Sequence, residues 1–141
     1  MLTGVRVLVA DDEVELLGSV CECFTGLGAN VIRASNGADL IEQLAIAGPF
    51  DLIVTDINMP WMNGLEAIRS TRAAGLATSV IVMTALADER IAAQVKSLGT
   101  NAVLLRKPFT PSELEATASA LIGLASQGHS PRKREGGVRP T

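Results

Sequence analysis

Tyrosine is missing from this sequence, and other aromatics are scarce: three phenylalanines and one tryptophan, 3% of the chain. That scarcity argues against an aromatic-rich binding surface. The apolar content, 48%, is carried instead by Ala, Leu, Val and Ile. Such a mixture suits close helix-on-sheet packing and is enough to fill one sizeable core. Long hydrophobic runs are also missing. No stretch approaches the roughly 18–20 apolar residues that span a bilayer, and Met1-Leu2-Thr3-Gly4 leads into a strand-like segment with no signal-peptide pattern. Cysteine is limited to Cys21 and Cys23. Two apart in a helical stretch, they point to opposite sides of the helix and cannot pair, so they read as buried or half-buried thiols. Together these absences predict a reduced, cytoplasmic protein with no membrane partner.

Charge of either sign is modest, and the net value of −3 hides an uneven distribution. Residues 1–125 carry 14 acidic and 8 basic side chains, a net −6, whereas residues 126–141 carry Arg132, Lys133, Arg134 and Arg139 against Glu135, a net +3. The body repels nucleic acid. The basic tail would give only weak, salt-sensitive contacts without base readout, so no nucleic-acid partner is expected.

What the sequence does contain is alternation. Five short apolar runs, Val5–Ala10, Asn30–Ala34, Asp51–Thr55, Val80–Thr84 and Ala102–Arg106, are strand-like, and several are almost continuously apolar. That character fits strands covered on both faces. Helical spacing fills the gaps. Val14, Leu17, Cys21, Phe24 and Leu27 form one stripe, stopped by Gly28. Further helices are predicted over about 38–47, 65–74 and 88–98, ending at Gly48-Pro49, Gly75 and Gly99. A fifth begins with Thr110 as cap, Pro111 in the first helical position and Glu113 completing a capping box, and buries Leu114, Ala118, Leu121 and Ala125. Parallel strands with right-handed helical crossovers make a doubly wound α/β domain over residues 1–125. Residues 126–141, rich in Gly, Pro, Ser and Arg without periodicity, read as a disordered basic tail or linker. No internal repeat is visible.

Ligands of open parallel sheets bind beyond the carboxyl ends of the strands. Those ends carry Asp11-Asp12-Glu13, Asp56, Thr84 and, after the fifth run, Lys107-Pro108, while the second run ends without comparable chemistry. Taken singly, each has a plainer reading. Asp11 and Asp12 can open a helix, Asp56 can be a turn residue, Thr84 can bond to backbone, and Lys107 can be a solvated lysine. Jointly, at four strand ends around one edge, they form a chemically complete set. Gathered carboxylates repel one another unless a cation intervenes, and Mg²⁺ takes a few hard oxygen ligands and binds phosphate oxygens. One carboxylate can then attack phosphorus, Lys107 can neutralise a phosphate oxygen, and the Thr84 hydroxyl can donate a hydrogen bond.

The stretches Val7-Leu8-Val9-Ala10-Asp11-Asp12-Glu13, Asp56-Ile57-Asn58-Met59-Pro60-Trp61-Met62-Asn63-Gly64, Met83-Thr84-Ala85 and Lys107-Pro108-Phe109 resemble a bacterial two-component response-regulator receiver domain of the chemotaxis-regulator kind, over residues 5–125. The resemblance implies a five-stranded (βα)5 fold in the flavodoxin-like order 2-1-3-4-5. It implies a signalling switch, not an enzyme with a turnover substrate, which catalyses only its own phosphorylation and dephosphorylation. Asp56 would be the phosphoacceptor. Asp12 would bind Mg²⁺ directly, Asp11 through water, with Asp56 and the backbone carbonyl of Asn58 as further ligands. Thr84 and Lys107 would hold the phosphoryl group, and a cis bond before Pro108 would aim Lys107 into the pocket. The donor would be a sensor histidine kinase or histidine phosphotransfer protein. The downstream target would meet the surface of the fourth helix, fifth strand and fifth helix.

Some positions depart from that pattern. Leu104 stands three residues before the lysine, where many receivers carry an aromatic switch residue, which predicts an altered or weaker switch. Leu86, two residues after Thr84, is apolar, which predicts a longer-lived phosphoform; Asn58 holds the other position that influences hydrolysis. Trp61 is expected to pack over its loop, and His129 to be a solvated tail residue. Alternative readings are a receiver cut from a longer DNA-binding regulator or hybrid kinase, and a phosphorylation-independent interaction module. A phosphatase of the haloacid dehalogenase type would need a second aspartate where Asn58 stands.

Overall fold

A computed structural model describes residues 2–59, 63–85 and 88–128. Strands and helices alternate in the order β1 (Arg6–Ala10), α1 (Val14–Gly26), β2 (Asn30–Ala34), α2 (Gly37–Ile46), β3 (Leu52–Asp56), α3 (Gly64–Ala73), β4 (Ser79–Thr84), α4 (Glu89–Lys96), β5 (Ala102–Arg106) and α5 (Pro111–Gly128). All strand pairs are parallel, and the sheet runs β2-β1-β3-β4-β5. This is the expected doubly wound architecture in the flavodoxin-like order. No helix among the described residues is long and apolar enough to cross a membrane.

The two-residue repeat of a strand sorts side chains between two cores. Val7, Val9, Leu52, Val54, Ile81 and Met83 pack on one face with Leu17, Val20, Cys21 and Phe24 of α1 and Leu114, Ala118 and Leu121 of α5. Leu8, Ala10, Ile53, Val80 and Val82 pack on the other with Leu40 of α2, Leu65 and Ile68 of α3 and Val95 of α4. Every residue of β3 and β4 is buried, which explains their unbroken apolar runs. Cys21 is buried, Cys23 is half-buried, and both are free thiols.

Helix starts follow local chemistry. The Thr110 amide donates to Glu113 Oε1 at 2.8 Å, and the Glu113 amide donates to Thr110 Oγ1 at 3.1 Å, the reciprocal pair expected of a capping box. Asn36, Asn63 and Asp88 cap α2, α3 and α4 by accepting from the amides of Asp39, Glu66 and Ile91. Asp88, read from sequence as the first residue of the fourth helix, is therefore its cap. α5 continues to Gly128, past the break read from composition after residue 125. Ser126 and Gln127 are tolerated inside a helix, and the first strong breaker after Ala125 is Gly128 itself. Trp61, Leu86, His129 and the remaining expected tail, 130–141, lie outside the described residues.

Two arginines tie the amino-terminal edge of the sheet together. The Arg6 guanidinium donates to the carbonyls of Ala47 (2.6 Å) and Pro49 (2.7 Å) and lies 4.9 Å from the Phe50 ring centre. Arg72 reaches the carbonyls of Leu98 (3.0 Å) and Leu76 (3.1 Å) and Asn101 Oδ1 (3.1 Å), while Asn101 Nδ2 donates to the Ala77 carbonyl at 2.6 Å. The carboxyl edge is left to different chemistry.

Candidate functional site

Alternation along each strand decides which side chains meet at the carboxyl edge. Asp11 follows β1, Asp56 ends β3 and Lys107 follows β5, and all three share the parity of Val9, Val54 and Leu105, on the α1/α5 side. Thr84 shares the parity of Val82, on the α2–α4 side. The shared face has a direct outcome. Lys107 Nζ lies 3.1 Å from Asp11 Oδ2, 3.2 Å from Asp56 Oδ1 and 3.4 Å from Glu13 Oε1. Asp11 is fully buried, Asp56 is 7% exposed and Thr84 2% exposed. The peptide between Lys107 and Pro108 is cis, as expected, and so is that between Gly48 and Pro49, which was not anticipated.

Backbone contacts fix these groups in place. The Asp11 amide donates to the Ala34 carbonyl at 3.2 Å, the Ile57 amide to Met83 at 3.2 Å and the Lys107 amide to Thr84 at 2.8 Å. Asp11 Oδ1 accepts from the Glu13 amide at 2.9 Å, which orients its carboxylate. Gly64 closes the loop after Asp56. Its amide donates to the Ile57 carbonyl at 2.9 Å, and a Cβ there would collide with the Asp56 carbonyl oxygen and stand 2.8 Å from Thr55 Oγ1. The glycine of the Asp56-to-Gly64 stretch is thus required by close approach.

One carboxylate oxygen from each of Asp11, Asp12 and Asp56 can be chosen such that all lie within 4.8 Å of one another. Burial and the Asp11 carboxylate push the Asp56 carboxyl above its ordinary range, and the attraction of Lys107 does not offset them. For Lys107, burial acts to lower the ammonium, but its bonds to Asp11 and Asp56 outweigh that and hold it above its usual value. Burial weighs most on Asp56 and the charge of Asp11 adds to it, whereas for Lys107 the two carboxylates prevail over burial. Among the described residues the Lys107 ammonium pairs with Asp11, Glu13 and Asp56, and the Asp12 carboxylate gathers beside Asp11 and Asp56. The donor set therefore suits a hard, oxygen-seeking divalent cation, and the group contains no sulfur or imidazole that would favour a softer metal.

The structure therefore brings Asp11, Asp12, Asp56 and Lys107 together and sets Thr84 at the adjoining strand end. Asn58 is exposed, two residues beyond Asp56. Leu104 is half-buried against the α2–α4 core. Glu13 was not singled out from sequence as a site residue; the signal was the third acid of Asp11-Asp12-Glu13, hidden because an acid at a helix start has an ordinary explanation.

A sheet edge of this kind defines an acidic class of site in which carboxylates gather around one lysine. Comparison with protein families matches residues 7–119 to the response regulator receiver domain. The "Probable chemotaxis protein CheY" of Rhizobium etli is 30% identical over 122 residues, covering 84% of this chain and 93% of that protein. The Regulator of RpoS of Escherichia coli is 35% identical over 105 residues, covering 74% of this chain, which spans only 31% of that protein's length. Among solved structures, the chemotaxis response regulator CheY4 of Vibrio cholerae is 26% identical with a TM-score of 0.76, covering 84% of this chain and 99% of that one. The chain belongs to the response regulator receiver domain family, for which a phosphoryl-acceptor role is standard.

Proposed function

We propose that Asp56 is the residue that accepts the phosphoryl group, from a histidine kinase or histidine phosphotransfer protein, with Mg²⁺ held by Asp11, Asp12, Asp56 and the Asn58 carbonyl. The observation that carries this reading is Lys107, whose ammonium bonds both Asp11 and Asp56 beside the third carboxylate of Asp12. When bound, the divalent cation neutralises charge shared by the carboxylates and the incoming phosphoryl oxygens.

The chain's own groups do the rest. A carboxylate oxygen of Asp56 forms an O–P bond as the donor's P–N bond breaks. The imidazole nitrogen leaves with that bond's electron pair and takes up a proton. Lys107 moves its hydrogen bond from the carboxylate to a phosphoryl oxygen, and the Thr84 hydroxyl donates to another. Little else is needed, because phosphoryl transfer depends chiefly on positioning and charge neutralisation. The same residues then catalyse transfer and hydrolysis without a separate enzyme. The target-facing surface is α4, β5 and α5, with Leu104 in place of an aromatic reporter.

The test is intact mass after incubation with acetyl phosphate and Mg²⁺. One phosphoryl group is expected on the native chain, and none after Asp56→Asn or without divalent cation. An unchanged mass under conditions that label another receiver would favour a phosphorylation-independent interaction module.

A further inference from the structure

Glu13 is committed to Lys107 in a way that neither helix capping nor burial explains. It occupies the cap position of α1 with extended backbone, yet its side chain makes no capping bond. Its carboxylate, 66% exposed, turns to Lys107 Nζ at 3.4 Å, while its own amide holds Asp11 Oδ1 at 2.9 Å. One residue thus touches both partners of the buried ion pair. We propose that Glu13 is a positioning residue that holds the Lys107 ammonium in the resting state and slows its transfer to the phosphoryl group.

The argument is one of competition, and it rests on the reading of Asp56 as acceptor. At rest Lys107 serves three carboxylates. During transfer from acetyl phosphate, an Asp56 oxygen forms the O–P bond while the P–O bond to acetate breaks and acetate leaves with the electron pair. The phosphoryl oxygens then need Lys107, and Glu13 is the competitor on the solvent side, since Asp11 is fully buried and Glu13 largely exposed. Contact at 3.4 Å is already long for a charged hydrogen bond. Aspartate, one methylene shorter, therefore loses the contact while keeping the charge, and glutamine keeps the length while losing the charge. Comparing the two separates holding Lys107 from simple repulsion of an anionic donor.

Glu13→Gln and Glu13→Asp would be followed by two measurements. The first is the NMR signal of the Lys107 side-chain ammonium in metal-free protein, with no donor present; both variants are expected to shift it and speed its exchange with water. The second is the acetyl phosphate labelling rate at saturating Mg²⁺, where both variants are expected to exceed the native rate by about threefold or more, the scale of one partly screened charge contact. Acceleration by Glu13→Gln alone would show repulsion of the donor and overturn the positioning role. So would native rates in both variants, or an unchanged ammonium signal. If the native chain itself takes no label, the brake falls together with the acceptor reading, whereas a labelled native chain with unaltered variants overturns the brake alone.

Discussion

Asp56 carries a cost that its neighbours impose. Its carboxyl is held above the ordinary aspartate range by burial and by Asp11, so the folded chain binds that proton more tightly than the unfolded chain does. The stability this group contributes is therefore fully present below the ordinary aspartate value. It is lost as pH rises from there through the raised folded value. In metal-free urea titrations, Asp56→Asn is expected to flatten that decline and to stabilise the protein at neutral pH. A less stable variant at neutral pH would mean that the attraction of Lys107 exceeds the repulsion. Added Mg²⁺ is expected to narrow the gap by stabilising the native carboxylates and leaving the asparagine protein less affected. The placement of this residue beside Asp11 and Lys107 was legible in sequence because it stands at a strand end, with its partners at the corresponding ends of other strands. The engagement of Glu13 was not, because it depends on a side-chain direction that an acid at a helix start does not reveal.

At the scale of elements, two contacts make separable demands. Gly64 opens α3 where any Cβ would strike the Asp56 carbonyl, so Gly64→Ala must push the start of α3 away from Asp56. A loss of about 1–3 kcal/mol is expected, as for overpacking elsewhere, with slowed acetyl phosphate labelling of the folded fraction. Thr110→Ala removes one half of the reciprocal cap on α5. It is expected to cost about 1 kcal/mol in thermal or urea unfolding and to leave labelling unaltered. The α5 start could be read beforehand because Thr110-Pro111-Ser112-Glu113 holds cap, first-turn proline and third-position acid in their required places. The caps of α2, α3 and α4 were missed because a lone Asn36, Asn63 or Asp88 looks the same as a turn residue until the bonded amide is known. The end of α5 was missed for another reason: composition changes at Ser126, whereas between Ala125 and Gly128 the backbone meets no strong breaker.

The whole molecule separates its tasks between the two edges of one sheet. Residues at the carboxyl edge carry excess charge, while Arg6 and Arg72 bind loop carbonyls at the opposite edge. Arg72→Ala takes the guanidinium donor away from the Leu76 and Leu98 carbonyls and from Asn101 Oδ1. It is expected to lower stability by about 1–2 kcal/mol and the melting midpoint by a few degrees. The labelling rate should stay native, because no site residue is touched; a parallel loss of labelling would show that the two edges are coupled. Five alternating units and two-sided burial were legible from hydrophobic spacing alone. The strand order was not, since many orders share that spacing, and it came from the resemblance carried by the acidic and lysine motifs. Side-chain parity also places Asp11, Asp56 and Lys107 on the α1/α5 side of the sheet and Thr84 on the α2–α4 side. On the proposed chemistry, a phosphoryl group bonded to both Lys107 and Thr84 acts as a rivet through a wall. It fastens the two packed layers that flank the strands, so a chemical event on one side becomes a mechanical load on the other.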